Sequence, residues 1–171
     1  MLGVSLGVSS TREAEAALHE TARSADIAEL RLDFMDEYDL PRLLNSRPCP
    51  VIVTNRPERE GGRFKGSEEA RVNPLLQAIA LGADYVDIEH DSTHLIGDRK
   101  QTQLIVSYHD FRLMPDNLPE IYARLATKNA DVVKIVGTAQ SVLDNLPILD
   151  ALAQADRPTI AIAMNEPGLI S

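Results

Sequence analysis

The sequence predicts a parallel β/α barrel, and three observations support this prediction. Short runs rich in β-branched residues alternate with longer segments whose apolar residues recur at helical spacing. Residues 132–136 carry β-branched side chains on both faces, as parallel strands that are covered on both sides do. A doubly wound sheet would share these two features. Because Ser9-Ser10-Thr11 follows the first run in place of a glycine-rich phosphate loop, the barrel is favoured.

Each predicted element is bounded by a turn or capping signal. Seven strands are predicted, over residues 2–8, 27–33, 50–54, 85–89, 103–109, 131–136 and 158–164. Helices are predicted after Ser10 and over residues 38–45, 67–81, 118–127 and 139–153. Ser10 and Glu13 fit a capping box before the first helix, and Gly82 ends the third. Pro74 and Pro147 fall inside helical patterns, where proline predicts a kink or a displaced helix start.

The composition indicates a single domain over residues 1–171 and argues against several classes of function. The chain is 44% hydrophobic and carries a formal net charge of −9, which opposes binding to nucleic acid or to anionic lipid. No stretch approaches the roughly 18 consecutive apolar residues that a membrane-spanning helix needs. Cys49 is the only cysteine, and the first residues lack the basic segment of a secretory signal. We therefore expect a cytoplasmic protein without a disulfide.

Ionisable side chains gather at the carboxyl ends of the predicted strands. Residues two apart in a strand share a face, which groups Glu29 with Arg31 and Asp33, Thr54 with Arg56, Asp87 with Glu89, and Ser107 with His109. Because burying an unpaired ion is costly, such groups must face solvent or one another. The carboxyl ends of barrel strands meet at one mouth, where barrel enzymes keep their active sites. The pattern therefore predicts one polar pocket, although any single member of it could serve structure alone.

Lys134 lies inside the sixth predicted strand, between Val133 and Ile135. A lysine in that setting is more often buried than exposed, and burial lowers the pKa of an amine, which makes it a nucleophile near neutral pH. His109 ends the fifth strand and is either a core histidine or a proton-transferring group that shares the mouth with Lys134. No spacing of histidines, cysteines or carboxylates indicates a metal site.

Arg31 and Arg56 suggest an anionic substrate, because a guanidinium binds a carboxylate through two parallel hydrogen bonds. The alternative is that both arginines only pair with Glu29, Asp33 or Glu89. Residues 56–67 form a polar, glycine-containing loop after the third strand, and we expect this loop to make part of the wall of the site.

Six short segments carry a family resemblance that runs nearly the whole length of the chain. They are Ala28-Glu-Leu-Arg-Leu-Asp33, Thr54-Asn-Arg56 with Glu60-Gly-Gly62, Ala83-Asp-Tyr-Val-Asp-Ile-Glu89, Ser107-Tyr-His-Asp-Phe111, Val133-Lys-Ile135 and Met164-Asn-Glu-Pro-Gly-Leu-Ile-Ser171. In this order they resemble the type I 3-dehydroquinate dehydratases, the Schiff-base lyases of the shikimate pathway.

The resemblance implies a (β/α)8 barrel that dehydrates 3-dehydroquinate to 3-dehydroshikimate without a metal or an organic cofactor, and it suggests a homodimer. It implies that Lys134 is the Schiff-base lysine, that His109 is the general acid/base and that Glu60 is its carboxylate neighbour. Substrate-binding roles are implied for Glu29, Arg31, Arg56 and Met164, with supporting roles for Asp87 and Glu89.

The sequence departs from the family pattern at its C-terminal side. In the family, an arginine that grips the substrate carboxylate follows the last motif, and a helix and an eighth strand come next. This chain ends at Ser171, so we expect about seven strands, and the activity of the chain is left open. Two other hypotheses remain: a different Schiff-base barrel lyase, such as a class I aldolase, and a non-catalytic barrel remnant that binds a partner.

Overall fold

The structure is a computed structural model that describes residues 1–171. Its internal contacts divide the chain into two compact units. The first comprises Met1–Ile88 and His94–Gln103, and the second comprises Glu89–Thr93 and Leu104–Ser171. None of the helices combines the length and the apolar character that crossing a lipid bilayer would require.

Strands and helices alternate along the first unit. They are β1 (Gly3–Leu6), α1 (Thr11–Thr21), β2 (Ile27–Arg31), α2 (Leu40–Asn45), β3 (Val51–Thr54), α3 (Glu68–Ala80) and β4 (Tyr85–Glu89), the last of which ends in the second unit. The strands β1 to β4 lie in chain order and each pairs with the next in parallel. The predicted strand over residues 85–89 is confirmed at both ends, whereas the strand predicted to continue to Asp33 ends at Arg31, where the 3₁₀ turn Leu32–Phe34 begins.

The second unit continues the alternation. Its elements are β5 (Gln103–His109), α4 (Leu118–Ala126), β6 (Val132–Thr138), α5 (Asn145–Gln154) and β7 (Thr159–Met164). The strands β5, β6 and β7 are again parallel and in chain order. The predicted strand over residues 103–109 is confirmed, and β6 extends two residues beyond its predicted end.

Side-chain caps fix where the helices of the first unit begin. The Ser10 hydroxyl accepts a hydrogen bond from the Glu13 N–H, and the Ser67 hydroxyl accepts one from the Ala70 N–H. The predicted capping box is only half formed, because the Glu13 carboxylate accepts from the N–H of Ser9 in place of that of Ser10.

The two helical prolines behave differently. The helix predicted from residue 139 begins at Asn145 after a short 3₁₀ turn, with Pro147 in its first turn, which agrees with a displaced start. Pro74 lies inside α3 and does not displace its start. Because Pro74 has no backbone N–H, the carbonyl four residues before it lacks its usual helical hydrogen-bond donor.

Alternation along the strands places fully buried apolar side chains on one face of each unit's strands. In the first unit Leu30, Val53 and Val86 are fully buried, and the residues on either side of them in their strands face the opposite way. In the second unit Val133 and Ile135 are fully buried, as is Leu125 of α4, which contacts β6. The charged strand residues therefore lie on the opposite face of their strands: Glu29, Arg31, Asp87 and Lys134.

Candidate active site

The strand register of the first unit aligns three of its polar residues. Arg31 of β2 pairs with Thr54 of β3, which in turn pairs with Asp87 of β4. Residues paired in a parallel sheet point to the same side, and Glu29 shares that side because it lies two residues before Arg31. The Thr54 hydroxyl donates a hydrogen bond of 2.7 Å to Oε1 of Glu29. The predicted substrate-binding residues of β2 thus stand in one polar row.

Arg31 is paired with Asp33. The guanidinium donates from Nε and Nη2 to the two carboxylate oxygens, at 2.8 and 2.7 Å. Burial raises the pKa of Asp33, but the Arg31 guanidinium and two backbone N–H groups outweigh it, so that the pKa is held below its ordinary value. This pairing was one of the sequence-based alternatives. It arises because Asp33 leaves the strand and turns back in the 3₁₀ turn that follows.

Arg56 and Asp87 form a buried ion pair. Nη2 of Arg56 lies 2.7 Å from Oδ1 of Asp87, and the two side chains are 3% and 0% exposed. Arg56 lies in the loop after β3, and the peptide before it is fixed by α3. Nδ2 of Asn55 donates to the Arg71 carbonyl, and Nη1 of Arg71 donates to the Asn55 carbonyl. Both predicted arginines are therefore rigidly placed, each on an acidic partner.

Glu60 lies in the tight loop that starts at Arg56. It ends the 3₁₀ turn Glu58–Glu60 and is buried. Gly61 follows with φ of 73°, the left-handed region that favours glycine. A β-carbon at Gly62 would collide with the carbonyl oxygen of Arg56, so the two glycines allow the loop to close over its own start.

In the second unit, Lys134 is buried at the centre of the sheet. It is 8% exposed, whereas the other three lysines, Lys65, Lys100 and Lys128, are exposed. Its register partners are Ser107 of β5 and Ile160 of β7. The expected burial of Lys134 is confirmed, and it distinguishes this amine from every other lysine of the chain.

His109 and Met164 lie on the same sheet face as Lys134. His109 follows Ser107 by two residues, and Met164 follows Ile160 by four, so each keeps the orientation of the residue that pairs with Lys134. The His109 ring stacks on Phe111 with centroids 6.2 Å apart. Glu89 ends β4 and is fully buried.

Comparison with known proteins identifies the chain's relatives. A model of the type I 3-dehydroquinase family matches residues 2–171. The chain belongs to this family. The 3-dehydroquinate dehydratase of Methanothrix thermoacetophila is 38% identical over 167 residues, which are 96% of this chain and 72% of that protein.

Solved structures agree with the family assignment. The crystal structure of the type I 3-dehydroquinate dehydratase of Clostridium difficile with covalently modified comenic acid matches with a TM-score of 0.86 at 26% identity. The match covers 99% of this chain and 77% of that one. The predicted barrel-type fold, the family and its hydro-lyase class are thereby confirmed.

The length covered differs among the relatives. The bifunctional 3-dehydroquinate dehydratase/shikimate dehydrogenase of Arabidopsis thaliana is 35% identical over 159 residues, which are 86% of this chain but 26% of that protein.

Four further expectations stay predictions. They are the single-domain organisation, the homodimer, the cytoplasmic location and the independence from cofactors.

The sequence did not predict the role of Arg71, which supports the type I 3-dehydroquinase motif that contains Asn55 and Arg56. Arg71 is 1% exposed, and its hydrogen bonds to Asn55 hold the chain next to Arg56. A signal was present, because Arg71 has the helical spacing of the buried residues Leu75 and Ala78. A charged residue on the apolar face of a helix is buried only when it has a hydrogen-bonding or ionic partner inside the protein.

Proposed function

We propose that this chain carries the catalytic residues for dehydration of 3-dehydroquinate to 3-dehydroshikimate, with Lys134 as the Schiff-base nucleophile. Family membership supports the reaction. The observation that carries the role of Lys134 is its burial on the same sheet face as His109, while every other lysine is exposed. A buried amine that escapes protonation attacks a carbonyl carbon far more readily than a solvated ammonium.

The proposed chemistry balances with these two side chains. The Lys134 amine adds to the C3 ketone, and loss of water from the adduct gives an iminium. The iminium draws electrons from the adjacent C2–H bond, whose proton is removed by His109. The C1 hydroxyl then leaves as water after it takes a proton from His109. A second water hydrolyses the iminium, which releases the enone product and restores the amine.

Residues of the first unit are proposed to bind the polar groups of the substrate. Arg31 and Arg56 offer guanidinium N–H groups to oxygens of the substrate, and Glu29 accepts from substrate hydroxyls. Glu60 is proposed to orient His109 and to stabilise its charged form. Met164 supplies an apolar contact for the carbon ring, and Asp87 and Glu89 hold the surrounding charges in place.

Steady-state kinetics with 3-dehydroquinate test this proposal, since the conjugated enone product absorbs ultraviolet light and the substrate does not. Wild-type protein is expected to form the enone, and Lys134→Met is expected to form none above background. Lys128→Met is the matched control, because Lys128 is exposed beyond the end of α4. Enone formation by Lys134→Met at the wild-type rate, or a folded wild-type protein that forms no enone, would overturn the proposal.

A further inference from the structure

The Asp33 carboxylate collects four hydrogen bonds from two separate segments. One oxygen accepts from Nε of Arg31 at 2.8 Å and from the N–H of Arg56 at 3.2 Å. The other accepts from Nη2 of Arg31 at 2.7 Å and from the N–H of Arg63 at 3.1 Å. The carboxylate side chain is 0% exposed. Asp33 therefore joins the end of β2 to both ends of the loop that holds Glu60.

Asp33 fixes the direction of the Arg31 guanidinium. Two of the five guanidinium N–H groups point to Asp33, which leaves three for a ligand. The Phe34 ring holds the guanidinium from one face, with Cζ of Arg31 4.7 Å from the ring centroid. The Arg31 side chain is 19% exposed, so part of it remains accessible. Asp33 thus fixes one edge of the guanidinium and Phe34 contacts one face, and three N–H groups are not used by Asp33.

We infer that Asp33 is a positioning residue for substrate binding. It orients Arg31 and, through the two backbone N–H groups, it sets the loop that carries Arg56 and Glu60. The inference rests on the proposed function, in which both arginines bind oxygens of the substrate. Asp33 does not bind the substrate itself, because its four acceptor positions are already used. Its loss should weaken substrate affinity and leave the covalent step on Lys134 intact.

Asp33→Asn tests this inference, and Asp84→Asn is the matched control. Asp84 also binds an arginine and a backbone N–H, with Nε of Arg47 at 2.8 Å and the N–H of Val51 at 3.0 Å, but at the amino ends of the strands. Asp33→Asn is expected to raise KM roughly tenfold, which corresponds to a charge-assisted hydrogen bond. Its kcat should stay within about threefold of wild type. Asp84→Asn should leave KM unchanged.

A binding measurement separates this inference from the proposed reaction. Quinate has a hydroxyl in place of the C3 ketone and cannot form an iminium, so its affinity by calorimetry reports recognition alone. Asp33→Asn is expected to weaken quinate binding roughly tenfold, and Asp84→Asn is not. Unaltered KM and quinate affinity in Asp33→Asn, or an equal loss in Asp84→Asn, would overturn the positioning role.

A second variant covers the case in which Asp33→Asn does not fold. Asp33→Glu keeps the negative charge but lengthens the side chain by one methylene, so that its carboxylate cannot keep all four hydrogen bonds, and it too should raise KM and weaken quinate binding. Folded Asp33→Glu with wild-type KM and quinate affinity would contradict the inference. A wild-type protein that binds quinate but forms no enone would overturn the proposed function alone. A wild-type protein that does neither would overturn both the proposed function and the positioning role of Asp33.

Discussion

Lys134 and His109 lie on the same face of two adjacent parallel strands, and the register places His109 two residues beyond the partner of Lys134. This arrangement puts an amine and an imidazole next to each other along one sheet face, with the imidazole nearer the carboxyl ends of the strands. The roles proposed for the two groups are different, and substitution can separate them.

Replacing His109 should slow proton transfer without preventing covalent attachment. His109→Ala is expected to lower kcat by about 10²- to 10⁴-fold, the usual contribution of general acid–base catalysis. The variant should still give a borohydride-reducible adduct with 3-dehydroquinate. His19→Ala, at an exposed position of α1, serves as the control. Wild-type turnover in His109→Ala would make the histidine a packing residue.

The buried ion pair of Arg56 and Asp87 should dominate the electrostatic contribution to stability. Asp87→Asn removes a fully buried anionic partner from the buried Arg56 guanidinium, so it is expected to lower the free energy of unfolding by about 3 to 5 kcal/mol. Glu20→Gln breaks the pair of Glu20 and Arg23, whose side chains are both 76% exposed, and should cost less than about 1 kcal/mol. Urea denaturation measures both values. Equal losses in the two variants would show that Asp87 is not buried in solution.

Asp33 should make stability depend on pH only in acid. Its pKa is lower in the folded protein than the ordinary value of 3.8, so its contribution is complete above that pH and is lost as pH falls through the folded-state pKa. The difference in unfolding free energy between wild type and Asp33→Asn should therefore be constant near neutral pH and shrink below about pH 3.8. A difference that grows on acidification would contradict the assigned ion pair.

Asn165 adopts a backbone conformation that glycine tolerates best, with φ of 72° and ψ of 169° directly after β7. Asn165→Gly should raise the free energy of unfolding by about 1 kcal/mol, and Asn165→Ala should lower it. Asn129 is a matched control, because its φ of 59° lies where asparagine is commonly found. Thermal unfolding of the variants decides between strain and an ordinary turn, since an ordinary turn predicts no gain from Asn165→Gly.

Periodicity alone predicted the strands and the burial of Lys134, because both depend on local alternation of side chains. Both ends of the strands over residues 85–89 and 103–109 were predicted correctly. Lys134 was recognised because it is the one charged residue among β-branched neighbours. The pairing of Arg31 with Asp33 could not be chosen over its alternatives, since it depends on a 3₁₀ turn that interrupts the strand pattern. The bracing of Asn55 by Arg71 joins residues 16 positions apart, which no local pattern reveals.

The most direct test of the account is to reduce the protein with borohydride in the presence of 3-dehydroquinate and to locate the adduct by peptide mass spectrometry. Reduction converts the iminium to a stable secondary amine, so the label marks the attacking lysine. The chain has four lysines, of which only Lys134 is buried. One substrate-dependent adduct is expected, on Lys134, and no label is expected at Lys65, Lys100 or Lys128. A label on one of those exposed lysines in place of Lys134, or no label in protein that turns over 3-dehydroquinate, would contradict this expectation.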